Sequence, residues 1–139
     1  MGEVYETIWL SNQLMGEIMK SSVDNVSKIL TCCQKREEIL LNGQSMSRYN
    51  HYLDKMRKLA RELFDENRQD ELLPYLKSES VSVREDVACL LYHFYPDLCG
   101  KIIREIADMK VVSGLPKHLA IVAVTASFNM KYGIPEDFP

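Results

Sequence analysis

The chain has 139 residues, 46% apolar and 27% charged, the size and balance of one globular domain rather than of a disordered or fibrous polymer. With 17 Lys and Arg against 20 Asp and Glu, its net charge of -3 lacks the basic excess typical of nucleic-acid or anionic-membrane binders. The longest strongly apolar run, Leu119 to Val124, falls far short of the roughly 20 residues a membrane-spanning helix needs.

The first expected helix runs from Glu3 to Lys20, where Val4, Ile8, Leu14, Met15 and Ile18 follow a loose helical period beside Trp9 and Leu10. The opening Met1-Gly2-Glu3 is acidic where a secretory signal is basic, and Glu6 stands where a myristoylation motif needs Ser or Thr. A cytoplasmic protein is the expectation. Ser21-Ser22 can cap a second helix, with Asp24 in its first turn and Val26, Ile29, Leu30 and Cys33 on one stripe that resumes at Leu40. Asn42-Gly43 ends it as a C-cap, since neither flank alternates as a hairpin strand would.

The third helix is expected from about Ser47 to Asn67, with Tyr49, Tyr52, Leu53, Met56, Leu59, Ala60, Leu63 and Phe64 at three-four spacing. On its other face Asp54 with Lys58, Lys58 with Glu62, and Arg61 with Asp65 stand four apart, which reads as a solvated, salt-bridged surface. The cations Lys55, Arg57, Lys58 and Arg61 could alternatively meet phosphate, but the interleaved acids weigh against that. A short helix then covers Gln69 to Lys77, with Leu72, Leu73 and Leu76 inward and Pro74 either in its first turn or bending it. After the turn Ser78-Glu79-Ser80, the next helix begins near Ser80 or Ser82 and runs to Tyr95, burying Val83, Val87, Leu90, Leu91 and Phe94 before Pro96. Leu98 to about Met109 offers Leu98, Ile102, Ile103, Ile106 and Ala107, and a last helix extends from Pro116 to Tyr132.

No segment alternates with period two, so the chain is expected to be all-helical and a single domain. Within it, residues 1–67 hold the long N-terminal helices, 68–132 the shorter helix pairs and 133–139 an irregular tail.

The span Glu71 to Leu91, ELLPYLKSESVSVREDVACLL, resembles a HEAT repeat: a leucine-rich first helix, a polar turn, then Val83-Arg84 and Ala88 in a second helix. The resemblance implies an α-solenoid fragment of six or seven helices, a right-handed stack of antiparallel helix pairs in which Arg84 is structural and Leu98 to Tyr132 forms a second pair. The HEAT turn usually carries Asp or Pro, where this chain has Ser78, Glu79 and Ser80. The longer span from Val26 to Gly133 is similar to the bacterial domain-of-unknown-function family two-thousand-and-nineteen. The matching places are Leu40-Leu41-Asn42-Gly43, Arg61-Glu62-Leu63, and Leu72-Leu73-Pro74-Tyr75-Leu76 followed by Val83-Arg84. That resemblance implies a fold more than a function. Small proteins of this general kind include ones that look like immunity proteins, which neutralise a toxin by occluding its active site.

Catalytic and metal chemistry find few carriers. His51, His93 and His118 lack ligand spacing, and the six glycines are too scattered for a phosphate loop. Cys32, Cys33, Cys89 and Cys99 contain no C-x-x-C pair and read as reduced, semi-buried apolar residues. Cys89 and His93, four apart on one helix, make a conceivable nucleophile and base without an orienting acid. No cofactor, metal or enzyme activity is therefore expected.

A protein partner is the leading expectation, with a nucleic-acid-associated role through Arg57, Lys58 and Arg61 as the alternative. The expected partner face is the side of the Val81 to Tyr95 helix that carries Glu85, Asp86, Cys89, Tyr92 and His93. Asp70, Glu71 and Glu79 would help it steer a basic toxin domain. The last helix adds a second surface, since Leu119-Ala120-Ile121-Val122-Ala123-Val124 is apolar all round and must be covered on both sides, by the N-terminal helices, by a second copy or by a partner.

Overall fold

A computed structural model describes residues 25–139. The expected helix from Glu3 to Lys20 and the capping Ser21-Ser22 lie outside the described residues. Those that are described form five α-helices and two 3-10 segments with no strand, the all-helical class that the sequence periodicity requires.

Helix α1 occupies 25–41 and closes on Gly43, whose φ of 62° is the left-handed conformation a helix C-terminus favours. Helix α2, Met46–Asp65, is capped by Ser45, whose side chain accepts from the Ser47 amide at 3.1 Å. It buries Tyr49, Met56, Ala60 and Leu63, with Tyr52, Leu53, Leu59 and Phe64 half-buried beside them, as the spacing predicts. Its polar face differs from expectation. None of the three anticipated i,i+4 pairs closes within 4 Å; instead Glu62 accepts from Asn25 at 3.3 Å and Arg61 donates to the Pro139 carbonyl. Tertiary partners on α1 and the tail take Glu62 and Arg61 out of two of these pairs, each worth only about 0.2–0.5 kcal/mol.

Gln69–Lys77 winds as a 3-10 segment rather than an α-helix, still burying Leu72 and Leu76. Pro74 explains the difference: it has no amide hydrogen and its ring clashes with the carbonyl four residues earlier. Helix α3, Val81–Leu91, starts under an N-cap in which Ser80 Oγ accepts from the Val83 amide at 3.1 Å. Arg84 Nη1 donates to the carbonyls of Ser78 at 2.7 Å and Glu79 at 3.4 Å, a turn-ordering role.

Helix α3 ends at Leu91, four residues earlier than the sequence suggests, and Phe94 is exposed rather than buried. Pro96 occupies the first position of α4, Pro96–Asp108, and keeps Tyr95 out of the helical conformation at φ -137° and ψ 65°, so no continuous helix can run through it. Phe94 instead meets Phe64 edge-on, ring centroids 4.9 Å apart. On α4 the buried set is Cys99, Ile103, Ile106 and Ala107; Leu98, expected inward, is exposed, because the stripe is indexed from Cys99.

After a 3-10 turn, Met109–Val111, helix α5 spans Lys117–Tyr132 and stops at Gly133, φ 81°. Helix α4 packs most extensively on α5, while α3 lies at the centre, touching the 3-10 segment, α4 and α5. Side-chain links tie α1 to the same centre: Ser80 donates to Glu37, and Cys33 meets Met56 of α2 with sulfurs 3.3 Å apart. Cys32, Cys33 and Cys99 are buried and Cys89 half-buried, all four as free thiols. No described helix is long and apolar enough to cross a membrane.

Candidate functional site

Because α3 is surrounded, its polar residues are not a surface. Glu85 is 4% and Asp86 7% exposed, which corrects their expected place on an accessible acidic face. The stripe Ile29, Cys33, Leu40 on α1 has Arg36 at an intervening inward position, and this guanidinium, 5% exposed, forms an ion pair with Asp86. Arg36 also stacks on Tyr49 of α2, its Cζ 4.0 Å from the ring centroid. From α5, Asn129 Nδ2 donates to Glu85 Oε1 at 3.2 Å and lies 3.5 Å from Cys89 Sγ, and Cys89 Sγ lies 3.6 Å from the same carboxylate oxygen. Four helices thus each place one or more side chains in a single polar cluster.

Burial and the neighbouring Asp86 push the Glu85 carboxyl up to about 7, outweighing the hydrogen bonds from Asn129 and Cys89. Burial likewise raises Asp86, with Arg36 pulling the other way. The Cys89 thiol is driven well above its usual range by burial and then by Glu85 and Asp86, so it stays protonated and makes a poor nucleophile. Tyr49 is pushed up to about 12, chiefly by burial. For Arg36, burial opposes the charge, but Asp86 and Tyr49 more than offset it.

These groups line one side of a cavity of about 140 Å³. Leu53 and Met56 of α2, Thr125 of α5, and Ile134, Pro135 and Phe138 of the tail line the rest. The tail is irregular, as its composition implies, yet it is fastened at three points. His93 Nε2 lies 2.6 Å from the Pro135 carbonyl, Arg61 donates to the Pro139 carbonyl, and Arg57 Cζ sits 4.9 Å from the centroid of the Phe138 ring.

The sequence-predicted site residues therefore divide. Glu85, Asp86 and Cys89 meet in the cavity, whereas exposed His93 holds the tail. No hydrogen bond joins Cys89 to His93; each has the partners just described. Tyr92 is half-buried, its ring beside Gly100 on α4. Asp70 is exposed and accepts from Tyr95, Glu71 is half-buried and paired with Arg68, and Glu79 is exposed on the following turn. Arg36, Tyr49, Asn129 and Phe138 complete the cluster and were not singled out from sequence; a charged residue inside the apolar stripe of α1 was the available signal. Among the described residues no three His, Cys, Asp or Glu side chains are arranged to hold a metal ion.

Phe138→Ala should remove part of the cavity's cover and cost about 2 kcal/mol, below the value for a fully buried ring because Phe138 is half-buried. Urea unfolding measures the loss, and peptide mapping after alkylation should show faster modification of Cys89. Unchanged stability and an unchanged rate at Cys89 would mean the tail does not cover the cluster.

A different surface lies on the outer side of α5. Val122, Ala123 and Ala126 face the core, while Val124 and Phe128 are each 61% and Tyr132 65% exposed. These three recur every fourth residue and so share one face, with the Phe128 and Tyr132 rings 4.6 Å apart. No family model, curated protein or solved structure matches this chain, so its functional reading rests on the buried cluster and this exposed stripe.

Proposed function

We propose that the chain is a HEAT-like protein-binding module, related to the family its motifs resemble, and that it docks a partner protein on the outer face of α5. The observation that carries this reading is the stripe Val124, Phe128 and Tyr132, large apolar side chains left exposed on a helix whose opposite face is already in the core. Aromatic residues held by a regular helix offer contact area with little side-chain entropy to lose, which favours them at binding hot spots. Lys131, whose Nζ lies 5.2 Å from the centroid of the Tyr132 ring, puts a cation at one end of the stripe and favours a partner with an acidic rim there.

Of the acidic residues expected to steer a partner, Asp70 and Glu79 are exposed and Glu71 is half-buried. Neutralisation of a basic toxin domain is the specific form of protein binding to which these residues would contribute by steering the encounter. The nucleic-acid alternative is less well supported, because Arg57 and Arg61 of its cationic set engage the tail.

Val124→Asp with Phe128→Asp tests the reading. Both positions are mostly exposed, so the double variant should unfold within about 0.5 kcal/mol per site of the parent. It should also lose a partner that the parent captures from its own cells. Marked destabilisation would instead show that the stripe is covered within the chain. A parent that sediments as a dimer, and a variant that sediments as a monomer, would assign the face to self-association.

A further inference from the structure

Two carboxyl groups share the cavity beneath the tail with one guanidinium, and that guanidinium is engaged by Asp86. Glu85, Asp86 and Arg36 are all more than nine-tenths buried. Asp86 Oδ2 and Arg36 Nε have no hydrogen-bond partner; beyond the Arg36 contact to Oδ1, the carboxylate has help only from the Cys33 thiol, a weak donor. The opposite wall is apolar, formed by Leu53, Met56 and Phe138. Whenever Glu85 is ionised, the site is one positive charge short of balance, next to an apolar wall.

We propose that this cavity binds a small organic cation, an alkylammonium of a few carbons, with its charged head against Glu85 and Asp86 and its chain against Met56 and Phe138. The volume of about 140 Å³ is close to that of cavities known to take a benzene-sized guest. An ammonium supplies both the missing charge and donors for the unpartnered carboxylate oxygen, and the adjoining Tyr49 ring adds an electron-rich face. An anion would meet two carboxyl groups and a guanidinium already paired. A neutral apolar guest would leave buried polar atoms unsatisfied. The tail forms one wall of the cavity, which is partly open to solvent, so a ligand can enter while the helices stay packed. This binding is separate from partner docking on α5, and either can fail without the other.

Calorimetric titration of the full chain with n-butylammonium and with n-butanol tests the proposal. The ammonium should bind saturably and at least about tenfold more tightly than the alcohol, the least expected from one charge-assisted contact. Glu85 is faced by Asp86 and Cys89 on α3, Arg36 on α1, Tyr49 on α2 and neutral Asn129 on α5, and its carboxyl is mostly protonated at about pH 6. Ammonium binding there should release close to one proton, read from the dependence of the heat on buffer ionisation enthalpy, whereas the alcohol should release none. Glu85→Gln should weaken ammonium binding at least about tenfold. Equal affinity for ammonium and alcohol, absence of ammonium binding, or binding without proton release would each overturn the proposal. None of these three readouts needs a variant, so a Glu85→Gln chain that fails to fold does not rescue it.

Discussion

Arg36→Met is expected to lower the unfolding free energy by about 3–5 kcal/mol near neutral pH, because it leaves the Asp86 carboxylate buried without its counter-charge. A loss of that size is a large fraction of the roughly 5–15 kcal/mol that holds a domain together. The double variant Arg36→Met with Asp86→Leu should recover most of it, since two apolar side chains of similar volume have no charge to desolvate. Acid should also shrink the cost of the single variant, as protonation neutralises Asp86. Denaturant melts of the four members of the cycle measure the coupling. Single-variant losses below about 1 kcal/mol that simply add would mean the pair is not buried as a unit.

The second large effect is a pH dependence at Glu85. Its folded carboxyl titrates at about 7, above the ordinary value of 4.5, so the folded state holds the proton more tightly than the unfolded chain does. Stability from this group is therefore fully present below about pH 4.5 and is lost as pH rises through about 7. The total loss is on the order of 3 kcal/mol, from 1.36 kcal/mol per pH unit. Because Asp86 and other groups titrate too, the useful quantity is the difference from Glu85→Gln, whose stability should fall less over the same interval. Parallel stability curves for parent and variant would show that Glu85 is not held in a raised, desolvated state. A difference that grows in the opposite direction would give the shift the opposite sign.

Much of the fold was legible because local rules and tertiary packing agree. Every apolar position expected on α2 is buried or half-buried, and the Ser80 cap, Arg84 and Gly133 hold their turns as their residue types suggest. The discrepancies arise where a distant contact or a proline decides. Pro74 turns an expected α-helix into 3-10 winding, and Pro96 ends α3 early enough to leave Phe94 at the surface.

At the site, charge was a misleading guide. Glu85 and Asp86 look like surface residues on a helix with its own apolar stripe, but α3 is enclosed by α1, the 3-10 segment, α4 and α5. An enclosed helix buries its polar positions as well, and its partners come from far along the chain: Arg36 fifty residues earlier and Asn129 forty-four residues after Glu85. The place of Arg36 between Cys33 and Leu40, on an otherwise apolar stripe, was the local clue to a buried pair. The packing of Phe138 had no such clue, since the tail has no helical period and is held by His93 and by Arg57 and Arg61 of α2, far earlier in the chain.

The exposed stripe on α5 carries the proposed function, and a photo-crosslinking phenylalanine analogue at position 128 interrogates it in living cells. The prediction is one specific covalent adduct between this chain and a different protein, lost when Val124→Asp is added. A crosslink that stays within the chain, or joins two copies of it, would contradict the proposal that α5 is the docking face for a protein partner.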